Sequence, residues 1–488
     1  MNTSTLLLMA LLAPLIGAVL ILLSARKPNL RESFTLLSAA SLIVIVFSLL
    51  PQVISGARPE LELFELFPGM NIGFRLEPLG MLFACIASLL WPVNSIYSIG
   101  YMRGNDEKHQ TRFYICFAIA IASTMGIALS ANLVTLFIFY EMLTLSTYPL
   151  VTHKGTEDAK QSGRVYLGIL LTTSICLLLP AIIWTYSLAG TTMFTEGGII
   201  PAGTDGLVMT ALFLLFVYGI GKAALMPVHR WLPAAMVAPT PVSALLHAVA
   251  VVKAGVFSIV KVSTYVFSPA ALSVMLDVNF VLYLAGFTII AASIVALRSD
   301  NLKRRLAYST ISQLSYVVLA TALLIPISIL GAALHILAHA FGKITLFFAA
   351  GSIYTATHKK NVSELDGIGY RMPITMAAFA IGSLSMIGVP PTAGFLSKWF
   401  ILQGAFSIEN GFAITVIIIS TLLNAGYFLP IVYAAFFKQP VNDDDRCFNE
   451  APWPIVLSLS FTAVMTMVLF FYPDIAIKLL QPWVSSLS

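Results

Sequence analysis

A glutamate, several lysines and a pair of histidines fall inside apolar runs of this sequence, where a charge is hard to keep. Glu141 lies in LFIFYEMLTLSTYPL and is the one acidic residue of 22 that is placed deep in such a run. Lys222 lies in GIGKAALMPVHRWLP, Lys253 in HAVAVVKAGVFSIVK and Lys398 in IGVPPTAGFLSKW. His335, His339 and Lys343 follow at i, i+4 and i+8, a spacing that stacks them along one helix face. A charge at mid-bilayer costs about 3 kcal/mol even on the lenient insertion scale, so each group needs a partner or a task. An apolar setting destabilises the charged forms of Lys and Glu alike, and His titrates near neutrality unaided. Such a set can exchange protons at physiological pH.

Blander readings stand beside that one. Glu141 and Lys222 can form a static ion pair that holds two helices together. Lys253 and Lys398 can be purely structural. Lys261, near the end of its helix, is expected to snorkel to the interface. His247 is six residues from Lys253, hence on another face, and suits a hydrogen-bonded structural role equally well. The HxxxH of His335 and His339 is also a metal-ligand spacing, but no carboxylate or thiolate shares that helix.

The elements that must position these groups follow from composition. Hydrophobic residues make up 58% of the 488, charged residues 10%, and the mean hydropathy is +0.91. A soluble chain carries about a quarter charged residues, and so few charges cannot cover a soluble protein of this length. The chain is read as an all-α integral membrane protein. Cys85, Cys116, Cys176 and Cys447 form no CxxC, CxxCH or metal-ligand spacing, so no cofactor, disulfide framework or metal is expected. The net charge of +5 forms no nucleic-acid patch. The start, MNTST before an apolar run, reads as a retained first helix rather than a signal peptide.

An apolar run of about 20 residues spans the bilayer as a helix. About 14 transmembrane helices are expected, starting near residues 5, 34, 78, 112, 132, 163, 207, 241, 278, 306, 328, 372, 411 and 454. With the N-terminus outside, the inner loops hold 19 of the 27 basic residues, while the outer segments hold only Arg58, Arg75 and Lys478. That split obeys the positive-inside rule and places both termini on the outer side of a cell membrane. The other five are Lys222, Lys253, Lys261, Lys343 and Lys398, all inside predicted helices. The run Asp443–Asp444–Asp445 reads as a solvated inner loop.

Predicted helices 7 and 12 are both interrupted, by Gly219, Gly221, Pro227 and Pro233 in one and by Gly388, Pro390, Pro391 and Gly394 in the other. Proline removes a backbone donor and clashes with the preceding turn, so both helices should break. Pro227 and Pro391 are 164 residues apart, and helices 4 and 9 start about the same distance apart. Helices 4–8 (112–267) and 9–13 (278–437) therefore form two five-helix repeats, flanked by helices 1–3 (1–111) and by a loop with helix 14 (438–488). Five is odd, so the repeats are inverted, and matched broken helices in such repeats point to an ion pathway.

FYEMLTLSTYPL, GKAALMPVHRWLPAAMVAPTPVSALLHAVAVVKAG and IGVPPTAGFLSKW resemble the proton-translocating antiporter-like subunits of Mrp-type cation/proton antiporters, respiratory complex I and membrane-bound hydrogenases. The resemblance spans roughly residues 75–435. It implies fourteen helices with two inverted repeats, and a relay through Glu141, Lys222, Lys253, His335, His339 and Lys398. Lysine at 398 and NAGYFLPIVYAAFF look most like the MrpD branch of these antiporters, and the chain ends before any long lateral-helix extension. Gly342 departs from the bulkier residue expected between His339 and Lys343. The partners implied are other subunits of a multisubunit membrane complex, the lipid bilayer, protons, and Na⁺ or K⁺. The alternative is a proton-pumping subunit of a redox-driven complex. A non-conducting scaffold fits poorly with charges kept at both breaks.

Overall fold

The computed structural model describes residues 2–67, 70–273, 275, 279–440 and 446–487. The acidic run at 443–445 lies outside the described residues. The chain is a helical bundle with one small hairpin. In order it forms α1 (Thr3–Leu23), α2 (Pro28–Ile54), β1 (Glu60–Phe67), β2 (Met70–Arg75), α3 (Pro78–Gly104), α4 (Gln110–Leu129), α5 (Leu133–Val151) and α6 (Glu157–Ala189). Next come α7a (Gly206–Gly219), a run of short turns from Gly221–Ala223 to Ala235–Val237 that stands for the second half of helix 7, and α8 (Thr240–Phe267). Then follow α9 (Asn279–Arg298), α10 (Leu302–Ala322), α11 (Pro326–Thr357), α12a (Pro373–Ile387), α12b (Ala393–Ser407), α13 (Gly411–Phe437), α14 (Trp453–Phe471) and α15 (Asp474–Ser485).

Local chemistry sets the ends. Proline stands in the first turn of α2, α3, α11, α12a and α14, where its missing N–H is no loss. Asn132, Asn301 and Asn410 cap α5, α10 and α13 by accepting from a backbone N–H three residues on.

Eleven of these helices, among the described residues, are long and apolar enough to cross a bilayer. The three expected spans missing from that set have physical reasons. Helices 7 and 12 are each split into pieces too short. α10, with the sequence LAYSTISQLSY, carries too many hydroxyls and amides, but it is buried almost throughout from Arg305 to Thr321 and meets no lipid. The apolar stretch of α8 is wholly buried and that of α11 is 89% buried, whereas those of α1, α2, α6, α13 and α14 are 39% buried or less. α8, α10 and α11 are thus the centre, ringed by helices that keep large apolar side chains such as Val44 and Leu422 on the outside. An apolar surface of that extent belongs in lipid.

Both breaks fall where proline and glycine put them. α7a stops at Gly219, and Ala224 follows in left-handed backbone at φ +57°. α12a stops with Gly388 at φ +89°, and α12b restarts at Ala393.

The connections sort into two faces. On one, Arg103 pairs with Glu32, Lys303 donates to the Ala238 carbonyl and Lys438 pairs with Asp366. A cavity of about 380 Å³ opens there beside Lys154, Lys303, Lys359 and Lys360. On the other, Ser4 donates to the carbonyl of Glu60 in the hairpin, and Trp483 of α15 stacks against Tyr265 at the end of α8. Both termini lie on this second face. The hairpin and α15 were not expected, since 55–77 and the residues after Pro473 carry no span-length apolar run.

Candidate functional site

At the first break, the Lys222 ammonium donates to the Tyr140 carbonyl at 2.8 Å and to Thr144 Oγ1 at 2.6 Å. It lies 3.1 Å from the centre of the Tyr140 ring, whose hydroxyl accepts the Lys222 backbone N–H. Trp231, from beyond the break, donates its indole N–H to the Gly221 carbonyl that the break leaves free. Gly255 of α8 packs directly against the Lys222 and Ala223 backbone, where a Cβ would stand 2.3 Å away.

Glu141 and Lys222 do not form an ion pair. The ammonium is held by residues on either side of Glu141, although the two charges are close enough to act on each other. Glu141 is half-buried, but both its carboxylate oxygens are buried without a hydrogen-bond partner among the described residues. An unpartnered carboxylate is costly to hold charged.

The centre of the bundle brings α8, α11 and α12b together. Lys253 Nζ of α8 lies 2.6 Å from His339 Nδ1 of α11, with both side chains buried. One turn away on α11 the His335 ring lies 6.1 Å from that of His339, and its Nδ1 is 2.8 Å from Ser397 Oγ of α12b. Lys398 follows directly. Its ammonium donates to the Met386 and Ile387 carbonyls at 2.8 and 3.0 Å. Those are last-turn carbonyls of α12a, left without intrahelical partners at the negative end of its dipole. The Tyr316 ring touches both groups, 5.6 Å from the His335 ring and 4.8 Å from Lys398 Nζ.

Tyr140 and Tyr316 were missed in the sequence, where a tyrosine in an apolar helix looks like packing. Each lies under the lysine at a break, one on α5 and one on α10, which are equivalent helices in the two expected repeats.

Three groups are placed outside this chain of contacts. Lys343 turns to α10 and donates to Ser309 Oγ at 2.8 Å. His247 is buried against the Phe347 ring, with neither ring nitrogen hydrogen-bonded among the described residues. Lys261 does not snorkel. It is fully buried, donates to the Ser130 carbonyl at 2.7 Å and pairs with Glu77 at 3.1 Å. The hairpin and the segment around Phe194 cover the end of α8, so the interface that a snorkelling lysine would reach is closed to it.

These features define a class: multi-pass membrane proteins with two broken helices around a buried line of Lys and His. Residues 130–424 match the family described as NADH:quinone oxidoreductase/Mrp antiporter, TM, and the chain belongs to that family. NADH-quinone oxidoreductase subunit N of Desulforudis audaxviator is 31% identical over 434 residues, covering 85% of this chain and 86% of its own length. The putative antiporter subunit mnhA2 of Staphylococcus aureus is 28% identical over 496 residues, covering 94% of this chain but 60% of its own length. A chain of the Mrp complex from Dietzia sp. DQ12-45-1b shares the fold, with a TM-score of 0.88 at 19% identity over 99% of this chain and 97% of that one. The protein is an antiporter-like membrane subunit.

Proposed function

We propose that this chain is the proton-translocating subunit of a multisubunit Na⁺ or K⁺/proton antiporter. Its relay runs from Glu141 and Lys222 through Lys253, His339 and His335 to Lys398. The contact between Lys253 and His339 carries this reading, because it joins a lysine of the first half to a histidine of the second by a 2.6 Å hydrogen bond in the buried centre of the bundle. The two halves are assigned to residues 112–267 and 278–437. The protein is assigned to the plasma membrane with both termini outside, so that the basic cavity beside Lys303 faces the cytoplasm.

Proton flux in membrane vesicles, read with a pH-sensitive dye, tests the relay. Glu141→Gln removes the one carboxylate placed deep in an apolar run of the sequence and should abolish flux while the complex still assembles, and Glu141→Asp should keep part of it. Normal flux in the Gln variant would refute the relay.

A second reading keeps the same relay but drives it by electron transfer in other subunits. The relative named as a NADH-quinone oxidoreductase subunit favours it. Vesicles separate the two: an imposed Na⁺ or K⁺ gradient should move protons under the first reading and fail to do so under the second. Neighbouring genes for small antiporter subunits or for redox subunits give the same division.

A further inference from the structure

We propose that Glu77 and Lys261 form an additional proton-exchange site, at the end of α8 nearest the termini. The inference rests on the relay reading above and extends it to a pair that the relay does not use. The observations are geometric. Glu77 is the residue just before α3, Lys261 lies two turns beyond Lys253 on α8, and both side chains are within 3% of complete burial. Their 3.1 Å pairing is sealed by the Ser130 carbonyl and by the Phe194 ring, 4.5 Å from the ammonium. A buried ion pair is rarely worth its desolvation as mere glue, since apolar residues of the same volume often stabilise as well or better.

The surroundings step outward from this pair. Arg75 donates to the Phe194 carbonyl at 3.0 Å and pairs with Glu60, which is about half exposed. Arg58 and Glu196, also partly exposed, lie at 3.9 Å from each other on the same face. The buried pair thus stands between the centre of the bundle and a solvated charged rim. Inward, Lys253 is eight residues away along α8, or about 12 Å at 1.5 Å per residue. A gap of that size needs bound water. Ser258 Oγ, on α8 between the two lysines, is a buried hydroxyl with no protein partner among the described residues, and can hold it.

The step balances simply. The Lys261 ammonium gives one proton to Glu77 Oε2, leaving a neutral amine and a neutral carboxylic acid. The acid releases that proton to water at the charged rim. The amine takes the next one from the Lys253 side.

The test uses the assembled complex in vesicles. Lys261→Arg keeps the charge and the pairing but does not give up its proton, so assembly should be retained and flux should fall by about 10-fold or more. The double variant Glu77→Gln/Lys261→Met removes both charges together; it too should assemble and conduct poorly. Near-normal flux in either overturns the proposal in favour of a static clamp, and so does failure of both to assemble. Glu141→Gln, measured alongside, separates the two levels. If it also conducts normally the relay itself is wrong, whereas a dead Glu141→Gln beside a conducting double variant removes only this site.

Discussion

Lys398 is held in a seat built for a cation, and the proposed relay requires it to let a proton go. Its ammonium sits on the two carbonyls that α12a leaves open, Met386 and Ile387, over the Tyr316 ring. That seat needs a cation donor, and both Lys and Arg supply one. The difference is in the proton: lysine can release it, whereas arginine stays charged at any accessible pH. Lys398→Arg should therefore assemble normally and transport poorly. Lys398→Ala should transport as poorly, with the two carbonyls left unsatisfied. Vesicle assays decide between a switch and a fixed charge, because near-normal antiport in the Arg variant beside a dead Ala variant would assign Lys398 a structural role only. Lys222 is held in a similar way, by the Tyr140 carbonyl and ring, so the breaks in both halves offer a lysine a carbonyl and an aromatic face.

At the scale of elements, the breaks depend on how closely their pieces approach. A Cβ on Gly394, in the first turn of α12b, would stand 1.8 Å from the Ser385 carbonyl oxygen of α12a. Backbone cannot yield there without moving the two pieces apart. Gly394→Ala should cost on the order of 1–3 kcal/mol through overpacking, and by shifting α12b it should pull Lys398 off its carbonyls and Ser397 off His335. Gly411, at the start of α13, has open space where a Cβ would go. Gly411→Ala is the matched control and should be silent. Thermal unfolding of the purified complex together with proton flux would check both, and equal behaviour of the two variants would show that the close approach at α12 is immaterial.

The whole molecule is organised so that what lipid cannot tolerate is at the centre. α8 and α11, with Lys253, His335 and His339, are enclosed, and the peripheral helices take the lipid. The polar α10 survives inside because it never meets the bilayer. The charge bias predicts which end faces the cytoplasm: reporter fusions at 159 and at 200 should fall on opposite sides, with 159 inside. Position 159 lies in the first turn of α6 and 200 beyond its other end, and the structure puts one near the basic face and the other near the termini. The reverse assignment would invert the direction proposed for every step of the relay.

Hydropathy, charge bias and the Pro-Gly interruptions determined the membrane class, nearly every helix and both breaks, because these are one-dimensional signals set by the bilayer and by the proline ring. The spacing of His335 and His339 likewise fixed their common face on α11. Which helix that face meets was decided only in three dimensions. The contact of Lys253 with His339, the turn of Lys343 toward Ser309, and the seating of Lys222 beside Glu141 rather than upon it all depend on which helices pack against which. Lys261 is the sharpest case. Its position near a helix end predicted an interface, but the hairpin and the Phe194 segment fold over that end and bring Glu77 to it. Sequence distance carries no record of such a closure, since burial is a property of the neighbours and not of the residue.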